Sequence, residues 1–352
     1  LIRSHCECLW DSVNRDKGGH LAERSIMKQF IVGLAVFAAC QSPESSPALA
    51  ELEIPTPSGS NFEGPAFEFE RVSEDVYQAR GTGNVSVGSN ASIVINQEDV
   101  LVVDSHVSPA AAAALMRELR LITDKPVKYV VNSHFHFDHA HGNQIYGDDV
   151  EIIGHEYTRD MLANGESVSG HTYQTMRLTW VEQAGFAEGQ QGLAPIPPNR
   201  TLSDRMTIYR GGREIQLHFF GRAHTGGDVL VYLPTERVLM SGDMLMARPP
   251  YMGDGFPEEW VETLERVKEL EFDTVLPGHG PPFSEAVWID RLQEYLRDFW
   301  ARVSEAYQAG LTPEEAATQV DLSDHGEHYS GITGPGVALA AVERAYALLE
   351  GR

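Results

Sequence analysis

From residue 67 onward the chain alternates short apolar runs with polar or glycine-containing turns. Runs at 67–72, 76–80, 92–96 and 100–103 have the length and composition of strands. Asp104 ends the fourth of these. Ser108 and Pro109 then open a helix, one as N-cap and the other at the first helical position. Strong helix formers carry it from Ala110 to Leu121, and Lys125-Pro126 breaks it. The apolar run at 127–131 reads as a buried strand. Further strands are expected at 151–153, 208–209, 214–220, 229–233, 238–240 and 274–276. Helices are expected at 156–163, 257–270, 286–307, 312–319 and 336–349. In the second of these helices Trp260, Leu264 and Val267 share one face. Strands followed by a helix occur twice, which suggests two similar halves. Residues 164–200 form a long mixed connection rich in Gly and Pro, and a connection of that length is usually functional or mobile.

The chain ahead of this alternation differs in character. Residues 1–26 show no periodicity and begin without Met, as an upstream extension would. Met27 opens a better start. Lys28 is followed by ten unbroken apolar residues, Phe30 to Ala39, then Cys40 and a Ser/Pro-rich stretch. That is the form of a secretory signal over 27–50, too short to span a bilayer as a resident helix. Two processing points compete. Ala48-Leu49-Ala50 forms an A-x-A cleavage site, whereas Phe37-Ala38-Ala39-Cys40 resembles a lipoprotein box that would lipidate Cys40. The expectation is a periplasmic or secreted protein, with a membrane lipid anchor as the variant. Residues 51–65 read as a linker, and 66–352 as one domain with a helical tail from 285.

Charge narrows the partners. The formal net charge is −24 over 352 residues, and the five basic residues in 1–50 balance the five acidic ones, so the body carries all of it. Such a surface repels phosphate backbones and points to a small-molecule substrate rather than nucleic acid. Cys6, Cys8 and Cys40 all precede the body, which therefore has no disulfide and no thiolate metal ligand. Any metal there is held by nitrogen and oxygen.

The chemistry concentrates directly after the 127–131 strand. Residues 131–142 read Val-Asn-Ser-His-Phe-His-Phe-Asp-His-Ala-His-Gly. Within them His134, His136, Asp138 and His139 form H-x-H-x-D-H. Four such groups in six residues need polar partners and cannot form an apolar core segment. Three later turns each offer one more ligand after a strand: His224 in Gly-Arg-Ala-His-Thr-Gly-Gly-Asp, Asp243 in Ser-Gly-Asp-Met and His279 in Pro-Gly-His-Gly. Each is weak alone, but in this order after the first motif they are specific. His141, His155, His171, His325 and His328 are read as surface or undecided residues rather than catalytic ones, His141 as an exposed helix position. Residues 244–256, rich in Met and aromatics, line a site or fill a core. Arg248 pairs with a substrate carboxylate or makes a surface ion pair.

Asp104, the 134–139 motif with Gly142, His224, Asp243 and His279 together resemble the metallo-β-lactamase fold superfamily of metallohydrolases. The resemblance covers residues 67 to about 283. It implies an α/β fold, a four-layer αββα sandwich, here with a C-terminal helical extension, and a two-metal site at one edge of the sheets. Carried over residue by residue, His134, His136 and His224 hold a first zinc ion, Asp138, His139 and His279 hold a second, and Asp243 bridges them. Manganese or iron are alternatives. Asp104 supports the site without binding metal. The implied nucleophile is a hydroxide shared by the two ions, oriented by Asp138.

Asp243 matches the glyoxalase II, lactonase and ribonuclease Z branches, the last disfavoured by the acidic charge and the expected export, whereas lactamases of this fold carry Cys or Ser there. The expected reaction is therefore hydrolysis of an ester, lactone or related acyl bond. β-Lactam ring opening is the alternative. A second alternative is a metal-binding accessory protein of a periplasmic redox system.

Overall fold

The structure, a computed structural model, describes residues 64–164, 195–284 and 286–352. The expected upstream extension, signal segment, Cys40, most of the linker, His171 and most of the 164–200 connection lie outside the described residues.

The first sheet takes its strands in chain order: β1 (Phe67–Ser73), β2 (Val76–Gly81), β3 (Ala91–Ile95), β4 (Val100–Val103), β5 (Val127–Val131), β6 (Glu151–His155) and β7 (Arg200–Leu202). β1 to β4 pair antiparallel, and β4 to β7 pair parallel. The second sheet has the order β12-β11-β10-β9-β8, from β8 (Arg205–Arg210), β9 (Arg213–His218), β10 (Leu230–Leu233), β11 (Val238–Gly242) and β12 (Thr274–Pro277). Its pairs are antiparallel except β11 with β12. Each sheet thus contains an antiparallel pair followed by a helical crossover to a parallel strand. In the first, α1 (Pro109–Leu119) joins β4 to β5, and α2 (Phe137–Ala140) and α3 (Glu156–Asn164) follow β5 and β6. In the second, α4 (Pro257–Val267) joins β11 to β12.

Side-chain alternation explains the layering. In β4, Leu101 and Val103 face the second sheet, while Val100 and Val102 face α1. In β11, Val238 and Met240 face the first sheet, and Leu239 faces the helices. The inter-sheet layer therefore holds Val94, Val131 and Ile153 against Leu217, Val231 and Leu276. Ala111, Ala114, Leu115 and Leu119 of α1 cover the outer face of the first sheet. Trp260, Leu264 and Val267 of α4 cover the second, together with α5 (Val287–Gln308), α6 (Pro313–Gln319) and α7 (Leu339–Leu349). This is the αββα sandwich with C-terminal helices. Burying one Leu or Ile side chain in these layers contributes about 2–3 kcal/mol.

Local signals set the helix ends. Ser108 Oγ accepts the Ala111 amide at 3.2 Å, with Pro109 at the first position. Thr312 and Glu315 bond reciprocally across the start of α6 at 3.2 and 2.9 Å, a capping box. Two strands differ from expectation. β8 runs six residues rather than two, because Gly211 and Gly212, with φ of 57° and 85°, form a tight hairpin that pairs all of it with β9. β7 has only three residues, too few to show a period.

Candidate metal centre

Strand ends from both sheets meet at one edge of the sandwich. β5 leads through Asn132 and Ser133 to the motif, whose last part turns into the short helix α2 (Phe137–Ala140). His224 lies between β9 and β10, Asp243 directly after β11 and His279 just after β12. The structure brings all seven sequence-derived candidates together, as three overlapping trios: His134 with His136 and His224, His134 with His139 and Asp243, and Asp138 with His139 and His279. Within each trio the ligand atoms lie within 4.8 Å of one another.

Three of the five rings, His134, His136 and His139, are turned inward by what holds their other nitrogen. Asp104 follows β4 with φ of 69°. Its carboxylate accepts the Ser133 amide and hydroxyl, each at 2.8 Å, and His139 Nδ1 at 2.8 Å. That leaves His139 Nε2 toward Asp138 at 3.6 Å and Asp243 at 3.5 Å. His134 Nδ1 lies 3.0 Å from Ser133 Oγ, so a proton on Nδ1 donated to that hydroxyl leaves Nε2 a free lone pair. His136 Nε2 donates to Asp254 Oδ2 at 3.2 Å, and its Nδ1 faces His224 Nε2 at 3.0 Å. His279 Nε2 lies 3.2 Å from Asp138 and 3.3 Å from Asp243.

The turns beneath are fixed as firmly. Asn132 and Asn143 exchange side-chain hydrogen bonds at 3.0 and 2.8 Å, and Ser105 Oγ joins them at 2.8 Å. Asp228 accepts both the amide and the hydroxyl of Thr225, at 2.8 and 2.9 Å, clasping the His224 turn. A Cβ on Gly278 would come within 2.3 Å of Asp243 Oδ1 and 2.7 Å of His139, so only glycine lets this turn close over the cluster.

The electrostatics follow from this crowding. Burial keeps His134 and His224 neutral, the latter lowered to about 3. Burial also acts to lower His139 and His279, but neighbouring carboxylates outweigh it. Asp138, Asp243 and Asp104 hold His139 up at about 9, and Asp243 with Asp138 holds His279 up at about 10. Burial likewise opposes ionisation of Asp138 and Asp243, yet the imidazoles win and both carboxyls sit far below the usual range. For Asp228 burial outweighs the Thr225 hydrogen bonds and the nearby His136, and the carboxyl is pushed up to about 6.

A metal fits these residues. The ring nitrogens Nε2 of His134 and His139 and the Asp243 Oδ1 are buried, point into the cluster and have no hydrogen-bond partner. An all-imidazole and carboxylate donor set suits divalent ions such as zinc. The Asp138 and His279 side chains are 15% and 19% exposed, against 7% or less for His139, His224 and Asp243, so the cluster opens on that side.

Two other expectations, for His141 and His325, need correction. His141 is fully buried, because the 141–145 turn packs inward against Ser105 and α1. His325 is buried too, bonded to Asp298 at 2.8 Å and packed against Tyr295, away from the metal cluster in the C-terminal helices. His155 is half-buried and stacks on Phe219 at 4.0 Å, and His328 is half-buried. Met244, Leu245, Met252 and Phe256 are buried, and the first three belong to the helix-side core. Arg248 is exposed. Asp254 escaped the sequence reading because it sits in a Gly/Pro-rich loop with no ligand-like spacing.

The sequence model of a family described as "Metallo-beta-lactamase superfamily" matches residues 85–279, more than half of the chain. Among curated proteins, the linear primary-alkylsulfatase of Pseudomonas sp. (strain ATCC 19151) is 27% identical over 261 residues, covering 65% of this chain and 49% of that protein. The 2,4-dinitroanisole O-demethylase subunit alpha of Nocardioides sp. (strain JS1661) is 28% identical over 185 residues, covering 51% of this chain and 49% of that one. The chain thus spans about half the length of these relatives. Among solved structures, a double mutant of the sec-alkyl sulfatase PisA1 superposes with a TM-score of 0.60 at 16% identity, covering 81% of this chain and 50% of that one.

Proposed function

The chain belongs to the metallo-β-lactamase superfamily, and from that membership we propose that it is a dinuclear zinc hydrolase of an ester, lactone or related acyl bond. The observation that carries this reading is the convergence of three ligand trios around buried, unpartnered ring nitrogens. His134, His136 and His224 would hold one ion, Asp138, His139 and His279 the other, and Asp243 both. When bound, the ions supply Lewis acidity toward a carbonyl oxygen and acidify water toward neutrality.

The chain's own groups do the rest. Asp104 fixes His139 in one tautomer and fixes Ser133, and through it His134. Asp138, on the open side and ionised, orients the attacking water. His279 lies within 3.2 Å of that carboxylate and stabilises its charge. The buried remainder of the cluster keeps bulk water from the far side. Export through the 27–50 segment, followed by release or lipidation at Cys40, is part of the proposal. It is supported by the apolar run and the cleavage sites around it. A small-molecule substrate is supported by the acidic body.

A second reading is cleavage of a sulfate ester, favoured by the likeness to the alkylsulfatase over 261 residues. One panel tests both: purified, zinc-loaded protein against lactones, aryl esters, thioesters, alkyl sulfates and β-lactams, with Asp138→Ala and Asp243→Ala beside it. Metal-dependent turnover of lactones or esters supports the first reading. Turnover of alkyl sulfates alone replaces it with the second, and turnover of β-lactams alone makes the protein a lactamase. Bound zinc with no turnover of any of these moves the protein to a metal-binding accessory role.

A further inference from the structure

The candidate ligands are braced from behind, and part of that brace comes from the far end of the chain. Asp254, 118 residues from His136, accepts its Nε2 proton at 3.2 Å. This bond fixes the tautomer that leaves His136 Nδ1 a lone pair facing His224. Asp254 itself lies in an irregular stretch between β11 and α4. Arg344 reaches that stretch from α7, and its Nε donates to the Gly255 carbonyl at 2.8 Å.

We propose that Arg344 is a positioning residue for the His134–His136–His224 trio, acting through Gly255 and Asp254. The inference rests on the reading that this trio holds a metal ion.

Arg344 is 1% exposed, and its two terminal nitrogens have no hydrogen-bond partner. A guanidinium buried in that state is costly, and an apolar residue would suit the helical layer better. What Arg344 does deliver is one bond to Gly255 and a stack on Phe256, with its Cζ 4.4 Å from the ring centroid. The stretch it grips touches the other ligand turns as well. The Phe256 amide donates to the carbonyl of Ala223, next to His224, at 2.8 Å. Trp260 Nε1 donates to the carbonyl of Met244, next to Asp243, at 3.0 Å, and its ring stands edge-on to His224 at 5.6 Å. The last helix therefore supports the site through one short loop.

The test uses the full chain and zinc alone, titrated in competition with a fluorescent chelator that resolves two binding steps, with a thermal melt for every variant. Asp254→Ala and Arg344→Met are expected to weaken one step by about 10–100-fold and to leave the other unchanged. Arg344→Gln, which carries an N–H donor where the Arg Nε stands, is expected to keep wild-type affinity. Val303→Ala, a core truncation in α5, controls for general destabilisation: it should lower the melting temperature and leave both affinities intact. Equal weakening of both steps overturns the proposal. So does identical behaviour of the Met and Gln variants, or no change in either step. A wild-type chain that binds no zinc removes the metal reading itself, which is a different failure from zinc binding that the variants leave untouched.

Discussion

Gly142 is the position where one added carbon does the most damage. A Cβ there would stand 1.8 Å from the Ser105 carbonyl oxygen and 2.6 Å from the Ala112 Cβ. Ordinary carbon–oxygen contact needs about 3.2 Å, so backbone has to shift by at least about 1.4 Å in a close-packed layer. Neither turn is free to move. The Ser105 amide donates to the His139 carbonyl at 2.8 Å, and the Gly142 amide donates to the His106 carbonyl at 3.1 Å. Overpacking of this kind costs about 1–3 kcal/mol, and stretching one of the two buried bonds adds about 1–2. Gly142→Ala should therefore lose about 2–5 kcal/mol, or about 4–10 °C in melting temperature for a chain of this size. Because the same shift separates Asp104 from His139, zinc affinity should fall with it. Gly334→Ala is the matched control, with nothing within 4 Å of the new carbon, and should melt like wild type. Melts in chelator, followed by zinc competition titrations, read both effects. If Gly142→Ala melts with the Gly334→Ala protein, the packing argument is wrong.

Asp104→Ala removes the acceptor of three buried bonds, so it should cost about 3 kcal/mol and weaken zinc binding about 10–100-fold in the competition assay. In the metal-free chain, His139 and His279 are held protonated up to about 9 and 10. Their ion pairs with Asp138 and Asp243 contribute stability that is complete below pH 6.5 and is lost as pH rises through 9–10. Zinc uptake at pH 7 should then release about two protons, which calorimetry in buffers of different ionisation enthalpy detects; release of none refutes the assignment. His106 behaves oppositely. Burial lowers it to about 3, so its contribution is intact above pH 6.5 and lost as pH falls toward 3, up to about 5 kcal/mol. His106→Asn, which tolerates the φ of 68° there, should move the acid unfolding midpoint of chelated protein downward. An unchanged midpoint counts against it.

The ligand-bearing turns were legible because their residues are chemically conspicuous and because strand alternation places them at strand ends. The αββα layering was implied by the family resemblance, and the runs at 100–103 and 238–240 agree with it: they are too apolar to have a solvated face, so each needs cover on both sides. What stayed hidden depends on contacts distant in sequence. His141 looks like a polar helix residue, and only the approach of Ser105 and α1 to Gly142 shows that it is internal. The bond from Asp254 to His136 joins positions with no shared period. The bond from Arg344 to Gly255 spans 89 residues and starts from a helix that reads as ordinary amphipathic packing. β8 was underread because its polar alternation suits an edge strand facing water on one side.

The division of the site between the sheets has a consequence for how the molecule can be taken apart. His134, His136, Asp138 and His139 belong to the chain segment that ends with β7, at Leu202. His224, Asp243 and His279 belong to the segment that starts with β8, at Arg205. A cut between those two residues severs no strand and leaves each fragment with a fraction of a coordination sphere. Reunion of the fragments would then count the two ions among its reactants. The sandwich would reassemble cooperatively with zinc concentration and fall apart on chelation, a reversible fastening whose strength is set by the solution around it.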